Sequence, residues 1–224
     1  MLWRCKYLCL IFLTAPAWAT PLPCDNDLLL VETEDVDLHN RVCKTASAAL
    51  PRLDACHLTL DRPVTFAFET GPPPTEPACL GLYHTGKDRI ILWPPATFAQ
   101  LHATSEYCGT VPAPDLFDSI VVHELAHALT DQSACRETAC TADREYIAYA
   151  LQIDSLHPGV RDRFIAESAL TPPFGEDRLN DVILAFSPAT FAAAAWLHFS
   201  APENGCAFVG RILRGDHTLW RALD

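Results

Sequence analysis

The chain has 224 residues, of which half are hydrophobic, and a formal net charge of −12. This length allows one sizeable hydrophobic core and is short for two domains, so we expect a single domain over residues 20–224. The acidic balance argues against a nucleic-acid partner, because phosphate binding needs clustered Lys and Arg. Beyond residue 19 the only lysines are Lys44 and Lys87.

Residues 1–19 have the pattern of a secretory signal peptide. Arg4 and Lys6 give a positive start, an apolar run follows, and a small residue at Ala17 and at Ala19 marks a cleavage site. No later stretch reaches the roughly 18 apolar residues that a membrane span needs. We therefore expect a soluble protein, secreted or periplasmic after cleavage near Ala19, without stable membrane insertion and of unknown oligomeric state. Loss of Arg4 and Lys6 changes the net charge from −12 to −14.

Eight cysteines remain after residue 19. In an exported chain this even number suggests up to four disulfides, and the sequence does not choose among the pairings. Buried free thiols are the alternative for some of them. The eight are Cys24, Cys43, Cys56, Cys79, Cys108, Cys135, Cys140 and Cys206.

The first part of the mature chain is dominated by strand patterns. Residues 41–53 predict a short helix that ends near Pro51. Residues 63–69 alternate β-branched and aromatic side chains with smaller ones, which predicts a strand. Residues 80–93 hold two strand-like segments around a short glycine-containing turn and predict a hairpin. A short helix is expected at residues 97–102.

The second part of the chain is helical. Strands first and helices later predict an α+β domain, with a small antiparallel sheet packed on a helix pair and further C-terminal helices. The first helix of the pair should start after an Asp115 cap, and Thr141 should cap the second. The expected helices cover residues 116–130, 141–157, 160–168, 188–199 and 206–214.

An H-E-x-x-H motif lies within the helix predicted at residues 116–130. His123 and His127 are one helical turn apart and therefore share a face, with Glu124 beside them. The rest of the helix is apolar nearly all round, as a buried helix should be. Buried charge is costly without partners or a metal, so this polar stripe predicts a zinc site. The alternative is two core histidines with ordinary hydrogen-bond partners.

Glu145 is the candidate third ligand. A catalytic zinc usually takes three protein ligands and leaves a fourth position open. Glu145 follows His127 by 18 positions, on the first turns of the next helix, where an antiparallel helix pair would return it to the ion. It should share a face with Ala148, Tyr149 and Gln152. A solvated first-turn glutamate is the alternative.

The stretch from His123 to Asp131, with Glu145 downstream, resembles the gluzincin metallopeptidases, whose thermolysin-like members have a motif helix that also ends in Thr-Asp. The resemblance covers about residues 120–152, and the chain looks like a small exported protein with a minimal zincin core. It implies an exported zinc metallopeptidase in which His123, His127 and Glu145 hold one Zn²⁺ ion.

In such an enzyme a zinc-activated water hydrolyses the peptide bond. Glu124 would act as the general base and pass the proton to the leaving amine. The resemblance thus implies a peptide or protein substrate, to which the hairpin at residues 80–93 would offer an edge strand.

The chain departs from the family pattern at Tyr149, where the family often has an aspartate that orients a histidine ligand. Asp131, Asp143 or Asp154 would have to supply that carboxylate. An oxyanion also needs a hydrogen-bond donor. The candidates for it are Tyr149, Tyr83, His84, His198 and His217.

Two other functions stay open from the sequence. One is a non-catalytic, disulfide-stapled binding module that contains zinc, and the other is a disulfide scaffold without metal. Glu124 argues against the first, because a structural zinc site needs no general base and usually closes its fourth position.

Overall fold

The computed structural model describes residues 20–69, 80–102, 111–133, 141–171 and 175–219. The expected signal peptide at residues 1–19 lies outside these ranges, as do Cys79, Cys108, Cys135 and Cys140. Within the described ranges, no helix has the length and apolar character that a membrane span requires.

The strands form one sheet, with the spatial order β1-β2-β3-β5-β4. The first strands of the sheet flank the first helix, and the last two form the predicted hairpin. The strands are β1 (Leu22–Pro23), β2 (Leu29–Glu32), β3 (Val64–Phe68), β4 (Gly81–His84) and β5 (Arg89–Leu92).

The α+β class is confirmed, but the sheet is mixed rather than antiparallel. β1 pairs antiparallel with β2 and β4 with β5, whereas β3 runs parallel to both β2 and β5. Parallel neighbours need a crossover connection, which a helix provides between β2 and β3. The sequence prediction did not assign β2, because four residues are too short a pattern to stand out alone.

The helices cover most of the described chain and include every helix that the sequence predicted. They are α1 (Val36–Ala55), α2 (Pro95–His102), α3 (Ala113–Ser133), α4 (Thr141–Ser155), α5 (Pro158–Glu167), α6 (Asp181–Phe186), α7 (Pro188–Ser200) and α8 (Gly205–Leu213), with a 3₁₀ turn at Glu176–Arg178.

Helix α1 is longer at both ends than predicted. It begins at Val36 because the Asp35 side chain accepts hydrogen bonds from the N–H groups of Asp37 and Leu38, both at 3.0 Å. It also continues past Pro51 to Ala55, although a proline inside a helix lacks the N–H for the bond to residue i−4 and crowds the preceding turn. The predicted end at Pro51 is therefore wrong.

Helix α3 is the central element of the fold. It is buried along nearly its whole length, as the apolar pattern predicted, and packs against α1, α2, α4 and the β4–β5 hairpin. It begins at Ala113, so the predicted cap Asp115 lies within the first turn instead. The short helix α6 was not predicted, and its first N–H groups are capped by the Asn180 side chain.

Disulfides link the N-terminal segment and the C-terminal helices to α1. Cys24 pairs with Cys43, which ties the segment between β1 and β2 to α1. Cys56, directly after α1, pairs with Cys206 on α8. These pairs fit a secreted protein.

Candidate metal centre

The structure brings together the three predicted ligands, His123, His127 and Glu145. The Nε2 atoms of the two histidines are 3.1 Å apart. Glu145 Oε1 lies 3.4 Å from His127 Nε2, and its Oε2 lies 3.5 Å from His123 Nε2. Donors about 2.0–2.2 Å from a tetrahedral zinc ion would be about 3.3–3.6 Å apart. The spacing and the mixture of imidazole and carboxylate donors therefore fit a zinc ion.

Antiparallel packing of α3 and α4 produces this convergence. His123, earlier on α3, faces Tyr149 on α4, and their rings meet edge to face with centroids 4.6 Å apart. His127, one turn later, faces Glu145, one turn earlier on α4. Ala148 is fully buried between these positions, and its small side chain permits the close approach. The predicted shared face of α4 is thus confirmed.

Gln152 orients the first histidine. His123 Nδ1 lies 2.9 Å from Gln152 Oε1. The Ser119 hydroxyl donates to the Leu116 carbonyl at 2.8 Å and accepts from Gln152 Nε2 at 3.2 Å, which leaves the amide oxygen facing His123. Because an amide oxygen only accepts, the Nδ1 nitrogen must donate. The Nε2 lone pair of His123 is then free to face a metal.

Asp131, Asp143 or Asp154 was expected to supply the carboxylate that orients a histidine ligand, but none of their partners among the described residues is His123 or His127. Asp143 accepts hydrogen bonds from the Thr218 hydroxyl and the Leu219 N–H, both at 2.7 Å. Asp154 pairs with Arg52 at 2.8 Å, on the far side of α4. The group that orients His123 is instead the amide of Gln152, three residues after Tyr149 on α4.

Asp131, the third aspartate considered, fastens the hairpin to the end of α3. Its Oδ2 atom accepts from the Tyr83 hydroxyl at 2.8 Å and from the Gly86 N–H at 3.1 Å. Gln132 adds a bond from its Nε2 to Asp88 Oδ1 at 3.1 Å. These bonds hold β4 beside α3, so Asp131 positions the β4 wall of the candidate site and does not orient His123 or His127.

Strand β4 lies directly against Glu124. The Tyr83 N–H donates to the Glu124 carboxylate. Gly81 leaves room for it, because a Cβ atom there would lie 2.7 Å from both Cγ and Oε1 of Glu124. Any residue larger than glycine would therefore push on Glu124.

Burial sets the proton affinity of Glu124. Only 6 % of the residue is exposed, and this burial is the main reason that its pKa rises to about 7. His123 and the Tyr83 N–H lower the pKa, whereas the Glu145 charge raises it. A carboxylate with a pKa near neutrality can both take up and release a proton at physiological pH.

Whereas the pKa of Glu124 is raised, the pKa of Glu145 is lowered. Burial acts to raise its pKa, but hydrogen bonds and charge from His123 and His127 outweigh it and hold the pKa well below its ordinary value. Glu145 is therefore ionised, as a metal ligand must be.

A cavity of about 620 Å³ opens on these side chains. Strand β4 forms one wall of the cavity, α4 a second, and the ends of α6 and α7 a third. The lining residues are Gly81, Leu82, Tyr83, Thr85, His123, Glu124, His127, Thr141, Arg144, Glu145, Tyr149, Leu184, Ala185 and Pro188. His123, Glu124, His127 and Glu145 therefore all line the same cavity.

Of the candidate oxyanion donors, Tyr149 and Tyr83 line the cavity, and the Tyr83 hydroxyl already donates to Asp131. His198 lies elsewhere, with Nδ1 2.9 Å from the Tyr146 hydroxyl. His217 lies 2.9 Å from Glu176.

His84, the remaining candidate donor, is on β4 but not among the residues that line the cavity. Sequence reasoning missed Arg144, which does line it. The signal available was its position next to Glu145 on the same helix.

A second group of metal-binding side chains consists of Cys24, His39 and Cys43. Both cysteines are joined in a disulfide, so neither offers a thiolate to a metal. Among the described residues, the group around His123 is therefore the stronger metal centre.

Comparison with known families gives one match. The family of unknown function DUF6639 matches residues 29–222, which include His123, Glu124, His127 and Glu145. The chain belongs to this family. No curated protein and no solved structure matches the chain. Membership of this family therefore assigns no function to the chain.

Proposed function

We propose that this DUF6639 protein is an exported zinc-dependent metallopeptidase. The observation that carries the proposal is the convergence of His123, His127 and Glu145 at tetrahedral donor spacing, with Glu124 alongside and all four on one open cavity. A purely structural zinc site would need neither the cavity nor the extra carboxylate.

His123, His127 and Glu145 would hold the zinc ion. When bound, zinc would supply Lewis acidity, which polarises a carbonyl and makes a water molecule a stronger nucleophile. Gln152 keeps His123 in the required tautomer and orientation through its bond to Nδ1. Ionised Glu145 balances part of the charge of a divalent cation.

Glu124 would act as the general base. Its carboxylate faces the cavity and has a pKa of about 7, so it can accept a proton from a water molecule and return it to the leaving amine. The Tyr83 N–H holds the carboxylate in place. Tyr149, on the α4 wall of the cavity, is a candidate donor to the oxyanion.

Strand β4 would bind the substrate backbone. It is the last strand of the sheet order and pairs with β5 on one side, while residues Gly81 to Tyr83 line the cavity on the other. An extended peptide can add to such an edge through main-chain hydrogen bonds. The scissile bond would then lie across the metal centre.

The disulfides and the pattern of residues 1–19 support action outside the cytoplasm, in the secreted or periplasmic space after cleavage near Ala19. A peptide or protein present in that compartment would be the substrate.

Peptide hydrolysis by the zinc-loaded mature protein tests the proposal. A library of synthetic peptides, read out by mass spectrometry, should yield defined cleavage products. Treatment with a chelator should abolish cleavage, and added zinc should restore it. Failure of the zinc-loaded protein to cleave any peptide, or cleavage that survives chelation, would contradict the proposal.

A further inference from the structure

Arg144 places a positive charge on the wall of the cavity. It lies on α4 immediately before the ligand Glu145 and is the only lysine or arginine among the described residues that line the cavity. Most arginines in the described ranges pair with a carboxylate, as Arg62 does with Asp88 and Arg89 with Glu32. Arg144 forms no ion pair and no hydrogen bond with any described residue.

The carboxylates of the cavity do not satisfy Arg144. Glu145 is committed to His123 and His127, at 3.5 and 3.4 Å. Glu124 lies on the other helix, beneath β4, where the Tyr83 N–H binds it. As far as the described residues are concerned, the guanidinium is therefore available to a ligand in the cavity.

The shape of a guanidinium indicates which ligand group it would take. Its fork of N–H donors matches the two oxygens of a carboxylate, whereas a peptide carbonyl uses only part of it. The protein around it carries a net charge of −14 without residues 1–19, which disfavours an anionic ligand unless a cation meets it locally. Apolar Leu184, Ala185 and Pro188 line the cavity as well.

We propose that Arg144 binds a carboxylate of the peptide substrate and so makes this site selective for peptides that carry one near the scissile bond. The carboxylate is either the C-terminal one or that of an Asp or Glu side chain. This inference rests on the proposed peptidase function for its role in catalysis, but the binding preference can be measured separately.

Two matched peptide pairs separate the sources of the carboxylate. One pair differs only in a free or an amidated C-terminus, and the other only in Glu or Gln at an internal position. The peptides are those cleaved in the library screen, or generic apolar peptides if none is cleaved. Binding is measured by calorimetry on zinc-loaded Glu124→Gln protein, and kcat/KM on zinc-loaded protein with Glu124 intact.

A charge-assisted bidentate contact should give a preference of about 10- to 100-fold for the carboxylate in one of the two pairs. Arg144→Gln should reduce this preference to within about twofold, and Arg144→Lys should retain part of it, since lysine keeps the charge without the fork. Arg163→Gln, which removes an exposed arginine on α5, should leave the preference unchanged. Zinc content and thermal unfolding should be equal in all of these variants.

The outcomes are distinct. A preference in binding that disappears in Arg144→Gln supports the inference, even if the intact protein cleaves nothing and the peptidase proposal fails. Cleavage without any preference in either pair, or a preference that survives Arg144→Gln, overturns the inference and leaves the peptidase proposal standing. Absence of both binding and cleavage overturns both.

Discussion

Replacement of Glu124 by glutamine should lower kcat/KM for peptide hydrolysis by about 100- to 10,000-fold, the usual contribution of a general base. Glutamine has nearly the same shape and can still accept the Tyr83 N–H bond, but it cannot take up a proton. His123, His127 and Glu145 are untouched, so the zinc content should stay the same. Steady-state kinetics and elemental analysis on the same preparations measure both quantities.

The same variant discriminates between an enzyme and a non-catalytic zinc module. Equal activity in the two proteins would show that Glu124 is not the base. Stability provides an independent readout, because burial raises the pKa of Glu124 from its ordinary value of 4.5 to about 7. The folded metal-free protein therefore holds this proton more tightly than the unfolded chain and loses stability as the pH rises from 4.5 through 7. Glu124→Gln should remove this part of the pH dependence in metal-free protein.

Removal of the disulfide between Cys56 and Cys206 should lower the free energy of unfolding by about 5 kcal/mol on a chain-entropy estimate. The bond closes a loop with a sequence separation of 150 residues, so it restricts the unfolded chain strongly. A double substitution by alanine avoids a leftover thiol. Chemical denaturation of the oxidised proteins gives the comparison.

The disulfide between Cys24 and Cys43 is the matched control. Its sequence separation is 19, and the same estimate gives a loss of about 3 kcal/mol. The two double variants should therefore differ by about 2 kcal/mol. An equal or larger loss from the Cys24 and Cys43 pair would mean that contacts in the folded state, and not loop length, set the contribution of each bond.

The helix that carries the motif was predictable because its signals are local. The spacing of His123 and His127 and the apolar residues around them need only the geometry of one helix. The choice of Glu145 needed the further assumption that α3 and α4 are antiparallel, which the short connection between them favours. The structure places all three side chains together.

The groups that support the site were harder to predict, because they depend on contacts between elements. In the sequence, Gln152 is one polar residue on a helix face. In the structure its amide nitrogen donates to the Ser119 hydroxyl, which orients the amide oxygen toward His123. Asp131 has the sequence spacing of a ligand, but its carboxylate accepts hydrogen bonds from Tyr83 and Gly86 of the hairpin. Periodicity within one segment carries no information about either partner.

The parallel pairing of β3 with β2 and β5 was not predicted, because it also depends on contacts between elements that are distant in the sequence. A hairpin such as β4–β5 is encoded by its own turn, whereas the pairing of β3 with β2 and β5 depends on how α1 and the following segments cross the sheet. The sequence of β2, Leu-Leu-Val-Glu, also lacks the apolar–polar alternation that predicts a half-exposed strand, although burial does alternate along it in the structure.

Zinc content per chain tests the central claim most directly. Elemental analysis of the oxidised mature protein should find about one zinc ion per chain, which both His123→Ala and Glu145→Ala should lose. Glu167→Ala, which removes an exposed carboxylate on α5, should keep it. Loss of zinc only with His123 would move the third ligand away from Glu145. Absence of zinc from every form, even after reloading, would contradict the metallopeptidase account and leave a disulfide-stapled scaffold.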